Sequence, residues 1–145
     1  MYKRQIYALA GIRIGYGLAS EELISKLNNK RQPFNVNQIA QLMAIKSLSD
    51  KKFINESLRD YDICRVYLTK ELDKLHLNYI DSYANFITIN FGRATKSIFN
   101  KLLKLGIILR PLDNYKLPNY LRLTIGTLKE CKLFIASIKK ILGNK

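Results

Sequence analysis

Residues 84–91, Ala-Asn-Phe-Ile-Thr-Ile-Asn-Phe, read as a β-strand. β-Branched and aromatic side chains suit a pleated, half-buried surface. Working outward from it, residues 94–105 (ATKSIFNKLLKL) have helical periodicity and meet a stop at Gly106. GIILR (106–110) is then a short strand, DNYKLPNY (113–120) a loop, YLRLTIG (120–126) another strand, and residues 127–142 a final helix. Strand, helix, strand, strand, helix predicts an α+β layer, a small sheet with helices on one face.

Upstream the pattern changes. Ser49-Asp50 can cap a long helix to about Leu75, carrying Phe53, Ile54, Leu58, Tyr61, Val66, Leu68 and Leu72 on a helical period. Such length is unusual inside a small domain and common in a helix that bridges two. Before it, a helix from Asn35 to about Ser47 uses Ile39, Leu42 and Met43, and another starts at Ser20 and stops near Asn28-Asn29. RQPF (31–34) connects them, since Pro33 disfavours helical geometry at Gln32. GIRIGYGLA (11–19) reads as extended, with glycines where the backbone must pass close to something else.

A chain of 145 residues, 48% hydrophobic and 25% charged, can bury a real core. No apolar run approaches the roughly 20 residues of a membrane-spanning helix, and the opening residues lack the apolar core of a signal peptide. Cys64 and Cys131 lie far apart in helix-like segments without metal-ligand spacing, which fits reduced packing residues of a cytoplasmic protein. The net charge of +14 raises the question of nucleic acid, but the lysines are scattered over the polar sides of amphipathic segments rather than gathered in a stripe.

No self-sufficient active site is visible. The one histidine, His76, ends the long helix with no serine or cysteine placed to work with it. Glu21, Glu22 and Asp50 stand at helix starts, where the helix dipole accounts for them. No GxGxxG, Walker loop or zinc pattern occurs. Arg13, Arg110 and Arg122 stand out on strand or strand-edge positions. An arginine fork there is either a solvent-facing side chain or a receptor for carboxylate or phosphate, and the residue pattern leaves both open.

AGIRIGYGLA (10–19), RQPFNVNQIAQ (31–41), SYANFITINF (82–91), LGIILRPL (105–112) and YLRLTIGT (120–127) together resemble the histidinol-phosphate aminotransferases of the aspartate aminotransferase superfamily. The motifs come in the family's order and spacing, and the resemblance covers Ile6 to the C-terminus. It implies an α/β protein overall: a C-terminal α+β small domain of a fold-type I pyridoxal phosphate enzyme, with the edge of its large domain and the bridging helix. Residues 6–45 would be the remnant of the large cofactor-binding domain, 46–78 the bridging helix, and 79–145 the small domain that closes over substrate.

The resemblance also implies roles. The family's motif is serine and lysine, one variable residue, an aromatic, then G/A-L-A-G-x-R-x-G, and Tyr7 to Gly15 follow that frame. Arg13 then corresponds to the arginine that holds the phosphate of pyridoxal 5'-phosphate. Arg122 corresponds to the arginine that pairs with the carboxylate of glutamate or 2-oxoglutarate, and in the same pocket it would face the phosphate of histidinol phosphate. Arg110 corresponds to a second arginine near that phosphate. The Schiff-base lysine is missing: its position is Gln5, with Arg4 in place of the serine, and Lys3 is out of register. Back-translated as GTG-TAT-AAG-AGA-CAG, residues 1–5 read as a transposon-end scar from a sequencing library joined to an interrupted gene, the alternative being a genuine gene with a natural Gln5, a lysine-less relative.

The expected parent enzyme transfers an amino group between histidinol phosphate and 2-oxoglutarate in histidine biosynthesis, as a cytoplasmic homodimer, and this chain alone is expected to be inactive. The alternatives are threonine-phosphate decarboxylase or an aromatic aminotransferase within the superfamily, and a small basic nucleic-acid-binding module outside it.

Overall fold

A computed structural model of the chain describes residues 6–143. Gln5 and the rest of the expected scar lie outside the described residues. The chain divides into an N-terminal unit ending at Ser57 and a C-terminal unit starting at Leu58.

In the N-terminal unit, helix α1 (Glu21–Asn28) starts from an extended Ser20 with two glutamates in its first turn. Helix α2 (Gln38–Ser49) is capped by Asn37, whose Oδ1 accepts from the Ala40 N–H at 2.8 Å. Burial is sparse: Leu9 and Ala40 are the buried apolar residues described there, while Phe34 (97% exposed), Leu18, Ile39, Leu42 and Ile45 face solvent. The segment expected to be extended is a turn over residues 10–13 followed by irregular backbone, with Arg13 at φ 61°. Arg13 therefore does not sit on a strand. A strand needs a hydrogen-bonding neighbour, and among the described residues none pairs with it. A Cβ at Gly11 or Gly17 would meet open space, so neither marks a close approach there.

Helix α3 (Lys51–Lys74) begins at Asp50, whose Oδ1 accepts from the Phe53 N–H at 3.0 Å. It ends in a Schellman turn: His76 adopts φ 53°, its N–H donates to the Asp73 carbonyl, and the Leu77 N–H donates to that of Leu72. The histidine thus serves as a helix stop.

Within the C-terminal unit, β1 (Tyr79–Ile80), β2 (Phe86–Asn90), β3 (Arg110–Pro111) and β4 (Tyr120–Thr124) form an antiparallel sheet in the order β1-β2-β4-β3. Helix α4 (Thr95–Lys104) follows β2 and ends in a second Schellman turn at Gly106, φ 75°. Helix α5 (Leu128–Leu142) follows β4. Strand alternation sends Ile87 and Ile89 of β2, paired with Leu123 and Leu121 of β4, into one core with Cys64, Leu68 and Leu72 of α3, Ile98 and Leu102 of α4, and Phe134, Ile135 and Ile138 of α5. The α+β layer expected from the sequence is present, with three differences. Strand β1 was not expected, and the 113–120 loop contains a 3-10 turn at Asp113–Tyr115. Of GIILR only the last residue enters the ladder.

Candidate anion-binding site

The alternation that buries Leu121 and Leu123 turns Arg122 to the opposite face of the sheet. There the register aligns Ile80, Thr88, Arg122 and Arg110 in one row across all four strands. Arg110 and Arg122 are direct cross-strand partners. Like charges so placed repel, and no ion pair among the described residues supplies either with a carboxylate.

Each arginine is backed by an aromatic ring. The Arg122 guanidinium lies 5.0 Å from the Phe86 ring centroid, and Arg110 lies 5.8 Å from that of Tyr115. Arg110 Nη2 donates to the Tyr115 hydroxyl at 3.5 Å. Arg122 Nε is buried without a hydrogen-bond partner. A buried donor left unmade costs roughly 1–3 kcal/mol. An anion seated on this row would satisfy that donor and relieve the repulsion. Thr88, Phe86 and Tyr115 carried no signal of their own in the sequence, because cross-strand register and loop conformation bring them beside the arginines.

Arg13, the third arginine singled out, belongs to the N-terminal unit. It is exposed, and its N–H donates to the Ala10 carbonyl at 3.3 Å inside the turn. A non-glycine residue at positive φ is uncommon and strained. An open cleft of about 750 Å³ in the same unit is lined by Arg31, Pro33, Phe34 and Asn35 of the RQPFNVN motif, with Asn28 and Gln41.

Other chemistry is sparse. Cys64 and Cys131 are free and buried, and burial pushes the Cys131 thiol up to about 11, so it holds no thiolate at neutral pH. Among the described residues no group of three or more acidic, histidine or cysteine side chains could hold a metal, and no helix is long and apolar enough to cross a membrane.

The histidinol-phosphate aminotransferase of Caldicellulosiruptor saccharolyticus is 41% identical over 95% of the chain and 38% of its own length. That of Pelagibacter ubique is 45% identical over 96% of the chain and 40% of its own length. The chain therefore spans about two fifths of these curated relatives. The crystal structure of the Clostridium acetobutylicum histidinol-phosphate aminotransferase superposes with a TM-score of 0.90 at 28% identity, covering 97% of this chain and 44% of that one. The Sinorhizobium meliloti enzyme, solved in complex with pyridoxal-5'-phosphate, shares the fold with a TM-score of 0.81 at 23% identity, over 94% of this chain and 38% of that one. The sequence model described as Aminotransferase class I and II matches residues 6–138, and the chain belongs to that family.

Proposed function

We propose that this chain is the C-terminal part of a histidinol-phosphate aminotransferase, and that Arg110 and Arg122 receive the anionic end of its substrates. The observation that carries the reading is the cross-strand pair itself: two arginines without acidic partners among the described residues, one with a buried, unsatisfied Nε. Such a pair matches the phosphate of histidinol phosphate and the carboxylate of glutamate or 2-oxoglutarate, since both offer oxygens to the same forks. The relatives' names support the choice of substrate.

The residues present fit one end of pyridoxal phosphate. Arg13, exposed on a tight turn and without an acidic partner among the described residues, would hold the cofactor phosphate. When bound, the cofactor would supply an electron sink for the reacting carbon and would carry the amino group between substrates. Arg110 and Arg122 hold the far end of the substrate, converting encounter into fixed orientation. The lysine needed for proton movement at the reacting carbon has no counterpart here, because Gln5 holds its place in the motif and an amide is no base at neutral pH. On this reading residues 6–45 belong to the cofactor-binding domain, 46–78 to the bridging helix and 79–145 to the small domain of a cytoplasmic homodimer.

The test is to express the chain joined to the upstream gene, with lysine at position 5. A yellow, cofactor-bearing protein is expected, with Arg13→Ala releasing cofactor more readily. Arg122→Ala should lower kcat/KM for histidinol phosphate by about 10- to 100-fold, the worth of one charge-assisted contact. A protein that stays colourless with added cofactor would overturn the assignment.

A further inference from the structure

The β3–β4 loop carries a group that neither the family match nor the arginine pair assigns. Leu112, buried, anchors a turn in which its carbonyl accepts from the Tyr115 and Leu117 N–H groups. Lys116 takes the left-handed conformation at φ 60°, and its N–H donates to the Asp113 carbonyl. This compact loop presents Tyr115, 59% exposed, beside Arg110 on the edge strand of the sheet.

The direction of the contact matters. Arg110 Nη2 donates and the tyrosine oxygen accepts. That contact does not use the phenol proton, which sits on an oxygen beside the Arg110 guanidinium. We propose that Tyr115 is the third member of the anion receptor, donating this proton to an oxygen of the anion held by Arg110, and that it favours phosphate over carboxylate. The inference rests on the arginine-pair reading above.

The chemical reason is oxygen count. A carboxylate offers two coplanar oxygens, which a guanidinium fork can satisfy alone. A phosphate monoester has a further oxygen outside that plane. The arginines stand on the sheet row and Tyr115 on the loop that follows the edge strand, so its hydroxyl is a donor separate from the two forks. The ring also restrains the Arg110 side chain, so less freedom remains to be lost on binding.

The experiment is an NMR titration of the 145-residue chain with inorganic phosphate and, separately, with glutarate, following the amides of Arg110 and Arg122. Tyr115→Phe keeps the ring and removes the donor. Expected are phosphate binding weakened about 5- to 10-fold, the worth of one hydrogen bond, and glutarate binding changed less than about 2-fold. Tyr115→Leu should weaken both anions, since Arg110 loses its backing. Equal affinity of Tyr115→Phe and the unaltered chain for phosphate would overturn the proposal, as would equal losses for both anions. Arg110→Ala and Arg122→Ala separate the two levels. If they lose phosphate while Tyr115→Phe does not, the arginine reading stands and this inference falls. If neither loses it, or the unaltered chain binds no phosphate, both fall.

Discussion

Arg110 and Arg122 are register partners on adjacent antiparallel strands, so two positive side chains share one row of a small sheet, and no carboxylate among the described residues pairs with either. Like charges directly opposite one another cost roughly 0.2–1 kcal/mol. Without an anion, removing one should relieve the sheet. We predict that Arg110→Thr, which keeps a β-favouring residue, raises the urea midpoint in phosphate-free buffer. Added phosphate should raise the midpoint of the unaltered chain by binding the native state, and that of the variant little or not at all. A variant less stable in phosphate-free buffer, or one that gains equally from phosphate, would argue that the arginines do not strain the sheet.

A second charge cluster works in the opposite sense. Glu71 is buried on α3, and its carboxylate accepts from Lys139 of α5 at 2.7 Å and from Lys74 at 2.5 Å. Lys139 and then Lys74 hold its pKa below the usual 4.5. A carboxylate depressed on folding adds stability above its unfolded pKa and loses it as pH falls through the folded value. Glu71→Gln should therefore lower the melting temperature at pH 7. The gap should shrink as pH drops below 4.5 and vanish once the native carboxyl is protonated. Melting curves at pH 7 and pH 3 decide it; a gap that persists unchanged at pH 3 would mean packing, not charge, is at stake.

Much of the C-terminal unit was legible because local signals and tertiary pairing agree. Ile87, Ile89, Leu121 and Leu123 alternate as half-buried strands should, and Gly106 stands where α4 needs a left-handed residue. Strand β1 escaped because two residues carry no period. Arg13 was placed on a strand because the glycines of GIRIGYGLA suggested extended backbone passing close to a neighbour, but an extended segment becomes a strand only where a neighbour completes the ladder. The candidate site divides the same way. Each arginine was visible by type and position. The row that joins Arg110 to Arg122, and the loop that brings Tyr115 beside them, depend on register between distant segments, which no local pattern encodes.

Helix α5 offers a prediction where sequence and geometry coincide. The Thr127 hydroxyl accepts from the Glu130 N–H at 3.4 Å, and the Glu130 carboxylate accepts from the Thr127 N–H at 2.7 Å, a reciprocal capping box. Thr127→Ala should cost about 1 kcal/mol. Gly126→Ala should also destabilise, because a Cβ there would run into the Glu130 carboxylate and push it off the cap. Urea unfolding of both variants measures this. If Gly126→Ala were neutral while Thr127→Ala was costly, the carboxylate half of the box would contribute little.

The two units should differ most under proteolysis and core truncation. From Leu58 onward, Leu68, Leu72, Ile89, Leu121, Phe134 and Ile138 meet in one cluster at 2% exposure or less. Up to Ser57 the described buried apolar residues are Leu9 and Ala40, while Leu42 is 61% exposed. Removing side-chain atoms from a filled core forfeits transfer free energy and leaves a cavity, about 2–5 kcal/mol for leucine to alanine. An exposed leucine has little to forfeit, within about 0.5 kcal/mol. Leu68→Ala should therefore shift the unfolding midpoint strongly and Leu42→Ala hardly at all. Protection from protease follows local opening, which is easiest where few apolar contacts are buried. Brief protease treatment should cut before Leu58 first and leave a fragment spanning the sheet and α5, identified by its mass. Early loss of the sheet, or equal costs for Leu42→Ala and Leu68→Ala, would show that the N-terminal unit holds a core of its own.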